Sequence, residues 1–90
     1  MQLVGRIQSV TQPISGVSEK TGKEWHRQQF VLETIETNPK RAYFELKDGV
    51  QIEQLALKVG DQVLVDFFIQ AWSYNDRWHN SLTATRVSRA

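Results

Sequence analysis

The sequence predicts an all-β fold with one short helix, a five-stranded OB-fold barrel in the order β-β-β-α-β-β. Three observations carry this. Runs in which apolar and polar residues alternate recur along the chain, which is the pattern of half-buried strands. The period changes to a helical one in a single segment, after the third run. A helix between the third and fourth of five strands is the OB arrangement. The main rival, an SH3-like barrel, usually has no helix there.

The first strand is read from Leu3 to Val10, with Leu3, Gly5 and Ile7 alternating against Val4, Arg6 and Gln8. Gly5 inside the run predicts a bulge or tight bend. Pro13 has no N–H to give a ladder and ends the strand. A long polar loop is expected next, with Ser15-Gly16 and Lys20-Thr21-Gly22-Lys23 as turn signals. The second strand runs from about Glu24 to Thr34. Phe30 and Leu32 face inward, and Trp25, Arg27, Gln29, Val31 and Glu33 face outward. Asn38-Pro39 marks a turn. The third strand, Arg41 to Lys47, turns Ala42, Phe44 and Leu46 inward and leaves Arg41, Tyr43, Glu45 and Lys47 outside.

Asp48 then fits a helix N-cap, with Gln51 placed as in a capping box. Ile52 and Leu55 share a helical face with Val59 close by, and Gly60 is the expected stop. The helix would plug one barrel end with Ile52 and Leu55. From Asp61 a fourth strand puts Val63, Val65, Phe67 and Ile69 on one face. Asn75 and Asp76 tolerate positive φ and predict a tight hairpin. With these as loop residues, Tyr74 faces Arg77, Ser73 faces Trp78, Trp72 faces His79, Ile69 faces Leu82 and Phe67 faces Ala84. A slip of one residue would pair core with surface. Val87 falls out of this alternation, so a bulge is expected near Thr85 or Arg86.

With 90 residues the chain is read as a single domain, residues 1–90. It has no cysteine, so neither disulfides nor Cys-based zinc sites arise. Its net charge of +1 argues against a strongly basic coating protein. No apolar run reaches bilayer length, and the N-terminus shows no signal-peptide stretch. The expectation is a cytoplasmic protein without membrane partners.

The most informative segment is Trp72-Ser73-Tyr74-Asn75-Asp76-Arg77-Trp78-His79. Large rings beside a turn are poorly placed to build a core and well placed to touch a flat ligand. The hairpin register sends Phe68, Trp72, Tyr74, Arg77 and His79 outward, while Trp78 takes the core-side parity as an expected cap over the barrel end. Outward residues of the second and third strands, Trp25, Arg27, Arg41, Tyr43 and Lys47, are expected to neighbour one another on the same side. OB-folds bind oligomers there, between two loops. Those loops carry Lys20 and Lys23 in one and Tyr74 to Arg77 in the other. Aromatic faces stack on bases, and cations meet phosphates. The expected nucleic-acid-binding residues are therefore Lys20, Lys23, Trp25, Arg27, Arg41, Tyr43, Lys47, Trp72, Tyr74, Arg77 and His79. A second reading of Trp25 and Tyr43, a cross-strand aromatic pair worth about 0.2–1 kcal/mol, stays open.

Catalysis finds no footing. His26 and His79 lack nucleophile or ligand spacing, and the carboxylates form no metal or acid–base constellation. Lys20-Thr21-Gly22-Lys23 lacks P-loop spacing. No catalytic residue, metal site or cofactor is expected.

Several stretches carry a family resemblance: Gly5-Arg6-Ile7, Ser15-Gly16-Val17-Ser18, Gly22-Lys23-Glu24-Trp25, Gln28-Gln29-Phe30-Val31-Leu32-Glu33-Thr34, Lys58-Val59-Gly60-Asp61 and Arg77-Trp78-His79-Asn80. Together they resemble a family of short, uncharacterised bacterial proteins common in Bacteroidetes. The resemblance spans nearly the whole chain. It implies an OB-fold related to bacterial single-stranded-DNA-binding proteins, and it implies no activity. Those proteins recruit partners through an acidic C-terminal tail, which this chain lacks, so a full replication-type role is not expected. Two readings follow: a single-stranded nucleic-acid-binding module, with DNA as the expected ligand, and a protein-interaction or self-assembly module with the same aromatics at an interface, including a homo-oligomer.

Overall fold

The computed structural model describes all 90 residues. Its elements are β1 (Gln2–Val10), β2 (Ile14–Val17), β3 (Glu24–Thr34), β4 (Arg41–Leu46), α1 (Gly49–Leu55), β5 (Gln62–Tyr74) and β6 (Arg77–Arg89). The sheet order is β1-β5-β6-β4-β3-β2, and β1 also pairs with β3, so five strands form a closed ring. The β4–β6 pairing is parallel and the rest are antiparallel. With α1 between β4 and β5, this is the OB order the alternation predicts.

The sixth strand, β2, corrects the expected polar loop. It pairs only with the first residues of β3, Glu24 to Arg27, outside the ring. Its sequence, Ile-Ser-Gly-Val, has no buried face, and both Ile14 and Val17 are exposed. Burial is what produces a readable alternation, so a strand held by backbone pairing alone leaves none.

The core follows the inward positions closely. Ile7, Phe30, Leu32, Phe44, Leu46, Val63 and Val65 are fully buried. Phe44 stacks on Phe30 at 5.3 Å and meets Phe67 edge-on at 5.0 Å. Gly5 sits in β1 between β3 and β5, opposite both Thr34 and Val63. A Cβ there would collide with the Glu33 carbonyl oxygen. Close approach, rather than the expected bulge, therefore explains this glycine; the irregularity in β1 lies between Ile7 and Ser9.

Asp48 caps α1, its Oδ1 accepting from Val50 N at 3.0 Å and Gln51 N at 3.3 Å. Gln51 is not the reciprocal member of a capping box. Its Nε2 donates to Asp48 Oδ2 at 3.1 Å and to Thr85 O at 2.9 Å, and its Oε1 accepts from Val87 N at 2.9 Å. The helix ends at Ala56, which adopts a left-handed φ of 44°, ahead of the expected stop. Gly60, φ 96°, instead forms the turn into β5 and donates to Ile7 O at 2.8 Å. As a result Leu57 takes the buried place beside Ile52, and Val59 is exposed.

The β5–β6 hairpin has the predicted register throughout: Tyr74↔Arg77, Trp72↔His79, Ile69↔Leu82, Phe67↔Ala84. Asn75 and Asp76 have φ 51° and 61°, the two positive values a type I′ turn requires. The register shifts between Asp66↔Arg86 and Phe67↔Ala84, which leaves Thr85 as the extra residue and brings Val87 into the core. Every residue from Phe68 to Asn80 is exposed. The hairpin thus outruns the ring as an arm, and the molecule measures 46 × 37 × 20 Å.

Candidate nucleic-acid interface

Strand pleating sets the outer face. On β3 it carries Trp25, Arg27, Gln29, Val31 and Glu33, and β4 places Glu45 opposite Gln29, Tyr43 opposite Val31 and Arg41 opposite Glu33. This corrects the expected neighbourhood. Trp25 lies six residues along β3 from the position facing Tyr43, about 20 Å at 3.3 Å per residue. The two rings are not a cross-strand pair, and Arg41 and Tyr43 do not adjoin Trp25 and Arg27. The face holds two separate aromatic clusters.

The first cluster lines a groove of about 480 Å³ between β4 and the arm, with Arg41, Tyr43, Trp72, His79 and Ser81 among its walls. Trp72 stacks on His79 at 4.6 Å with 24° between the rings. Its Nε1 donates to Ser81 Oγ at 2.7 Å. The indole is thus fixed at one edge and along one face, yet it is 47% exposed. Arg41 is engaged by Glu33 at 3.2 Å.

The second cluster lines a more open groove of about 380 Å³ formed by Trp25, His26, Arg27, Glu45 and Lys47. The Arg27 guanidinium lies 5.9 Å from the Trp25 ring centroid, within cation–π range. Its Nη1 is 3.6 Å from Glu45 Oε1. Trp25 is held from below by β2, because a Cβ on Gly16 would come within 2.6 Å of the indole. His26 faces Glu24 at 3.8 Å. Lys47, just past the end of β4, makes no ion pair.

The remaining expected residues stand apart. Tyr74 and Arg77 oppose each other at the arm tip and line neither groove. Trp78 shares the tip at 75% exposure, so it is not the expected cap; the arm has carried it past the barrel end. Lys20 and Lys23 lie in the β2–β3 turn, closed by Ser18 N to Lys23 O at 2.9 Å, and also line neither groove. Glu45 falls on the outer face as the alternation predicts, and two further participants, Ser81 and Gly16, carry no signal in the sequence. Glu45 borders both grooves. Ser81 anchors Trp72, which the hairpin parity places on the same outer face. Gly16 seats Trp25, a role that becomes visible only once β2 is recognised.

No three His, Asp or Glu side chains converge as a metal would need. Two carboxyls are held below the usual range. A hydrogen bond from Lys40 first, then Thr34, lowers Glu36, and the Gln51 side chain and backbone lower Asp48. Both lie outside the grooves. No helix is long and apolar enough to cross a membrane.

Several solved structures share this fold at low identity. The mitochondrial single-stranded DNA binding protein Rim1 of S. cerevisiae superimposes with a TM-score of 0.75 at 16% identity, covering 99% of this chain and 91% of that one. The N-terminal domain of PriB from Thermoanaerobacter tencongensis, a dimeric structure, gives 0.70 at 17% identity, covering 100% and 93%. A Plasmodium falciparum SSB in complex with ssDNA gives 0.52 at 13%, covering 92% and 82%. No curated protein matches the sequence. Residues 2–88 match the family described as a domain of unknown function (DUF3127), and the chain belongs to that family.

Proposed function

We propose that this protein is a non-catalytic, single-domain module that binds single-stranded nucleic acid on its outer β3–β4–arm face. The observation that carries the reading is the pairing, in each of two grooves on that face, of exposed aromatic rings with cations: Tyr43 and Trp72 with Arg41, and Trp25 with Arg27 and Lys47. Stacked bases are worth about 1–3 kcal/mol each and carry no sequence requirement. Tyr74 and Arg77 at the arm tip, with Lys20 and Lys23 in the β2–β3 turn, extend the path on either side. DNA is the favoured ligand, because similar folds include proteins named for binding single-stranded DNA. Titrating the intrinsic tryptophan fluorescence with short oligonucleotides at two salt concentrations tests this. Quenching is expected, with the logarithm of affinity falling against the logarithm of salt at a slope of about −2 for three phosphate contacts. Absence of quenching by both DNA and RNA at low salt would overturn the reading.

A second reading is a protein-contact or self-assembly module. The observation favouring it is the opposite face of the arm, where Trp78 and Ile69 stand 75% and 49% exposed. Sedimentation without nucleic acid separates the two: an oligomer that dissociates on Trp78→Ala supports assembly, and a monomer at high concentration removes it.

A further inference from the structure

Glu45 is an odd residue to find in the middle of a phosphate-binding face. It borders both grooves, and only 26% of its side chain is exposed. Glu33, on the same outer face and of similar exposure, accepts a hydrogen bond from Arg41 at 3.2 Å. Glu45 accepts none. Its closest cation, Arg27 Nη1, stays at 3.6 Å, beyond hydrogen-bond length. A partly desolvated carboxylate that accepts no hydrogen bond from the protein can accept from a ligand that brings N–H donors. Being anionic, it also turns phosphate away and leaves a base edge as the part of the strand that can approach.

Base chemistry narrows the choice. A carboxylate accepts only, and two adjacent N–H donors satisfy it best. On the Watson–Crick edge, guanine alone presents two adjacent donor groups, N1–H and N2–H₂, with the O6 acceptor beside them. Adenine and cytosine each offer one amino group next to acceptors, and thymine offers one imide between two carbonyls. The Arg27–Glu45 pair is the complement: a guanidinium donor for O6 next to a carboxylate for N1–H and N2–H₂. In the same groove Trp25 supplies a ring and Lys47 an unpaired cation for the adjoining phosphate. Splayed single-stranded bases are read on this edge.

We propose that the Arg27–Glu45 pair is a guanine-reading subsite and that Glu45 sets the base preference. The inference rests on the nucleic-acid-binding reading above. The test uses the full chain and four nine-nucleotide DNA strands of thymidine, differing only in a central G, A, C or T, followed by tryptophan fluorescence. The G strand is expected to bind about tenfold tighter than the T strand, in line with one bidentate base contact. Replacing the central G by inosine, which lacks the N2 amino group, is expected to remove most of that preference in the unaltered protein. Glu45→Gln, isosteric and uncharged, is expected to bring the four strands to within about twofold of one another while raising affinity for the T strand. Equal binding of all four strands by the unaltered protein overturns the subsite. So does a G preference that survives Glu45→Gln, or a uniform loss across all four strands, which would make Glu45 a support for Arg27 alone. Binding of none of them overturns the underlying nucleic-acid reading and the subsite with it.

Discussion

The β5–β6 ladder runs through two environments without changing its pattern. Near the chain termini Val63 and Val65 are fully buried in the ring; toward the turn Trp72, Tyr74 and Trp78 are 47%, 67% and 75% exposed. The same antiparallel pairing joins both parts, with one bulge at Thr85 below the arm. Backbone pairing is therefore continuous along the hairpin, and burial follows only where a second layer exists to cover the inward side. The ring supplies that layer and the arm has none. Aromatic rings in the ring make stability, whereas those in the arm stand free for contact.

Breaking the ring should have the largest effect. Phe44 is fully buried and packs on both Phe30 and Phe67. Phe44→Ala is expected to cost about 3–5 kcal/mol, a large share of the roughly 5–15 kcal/mol that holds an ordinary domain folded. Urea denaturation followed by circular dichroism measures it. A loss below about 1 kcal/mol would mean that the core is not organised around this ring.

The junction between the two regions comes next. At the Thr85 bulge the ladder leaves Thr85 O and Val87 N for Gln51, whose amide takes both and ties α1 to β6. Gln51→Ala removes both bonds, one exposed and one part-buried, and is expected to cost about 0.5–1.5 kcal/mol. Gln51→Glu should be nearly as damaging, since a carboxylate accepts from Val87 N but gives nothing to Thr85 O. Equal stability of Gln51→Glu and the unaltered protein would show that the bulge is held by something else.

How much was legible in the sequence follows the same division. The ring strands and their inward residues were readable because burial imposes strict alternation, and the hairpin register was readable because Asn75-Asp76 and the pairing of apolar residues admit one alignment. Strand β2 was invisible, since Ile14 and Val17 bury nothing. The helix stop was misplaced because Ala56 takes the left-handed cap that a glycine usually fills. Each expected binding residue does face the outer surface, except those in turns. The grouping of those residues was not legible, because alternation fixes a side chain's face and not its position along the neighbouring strand. Thus Tyr43 meets Val31, with Trp25 far down the strand.

Trp72→Ala sharpens the comparison from the arm's side. The indole stacks on His79 and bonds Ser81, contacts at an exposed site that are expected to contribute no more than about 1 kcal/mol to folding. Affinity for single strands should fall by about 5- to 150-fold, the equivalent of about 1–3 kcal/mol for one lost stacking contact. The urea midpoint and an oligonucleotide titration of the same variant decide it. A midpoint loss as large as that of Phe44→Ala would erase the distinction between arm and ring.

The smallest effect belongs to acid. Asp48 sits at the ring end, where the Gln51 side chain, the Gln51 backbone and then the Val50 backbone lower its carboxyl from an ordinary value of 3.8. A carboxyl with a lowered folded value adds stability that is fully present above its unfolded value and is lost as pH falls through the folded one. Stability should therefore hold from neutral pH down to about pH 4 and decline below it. Asp48→Asn keeps the capping oxygen and removes the titration, so its acid limb should be shallower. It should not become flat, because Glu36, held low by Lys40 and Thr34, titrates in the same sense. Urea midpoints of both proteins between pH 2.5 and 7 give the comparison, with the difference expected at the acid end alone. Parallel curves, separated by a constant offset at every pH, would mean that the Asn cap is simply weaker and would remove the charge of Asp48 from the account of how the ring end is closed.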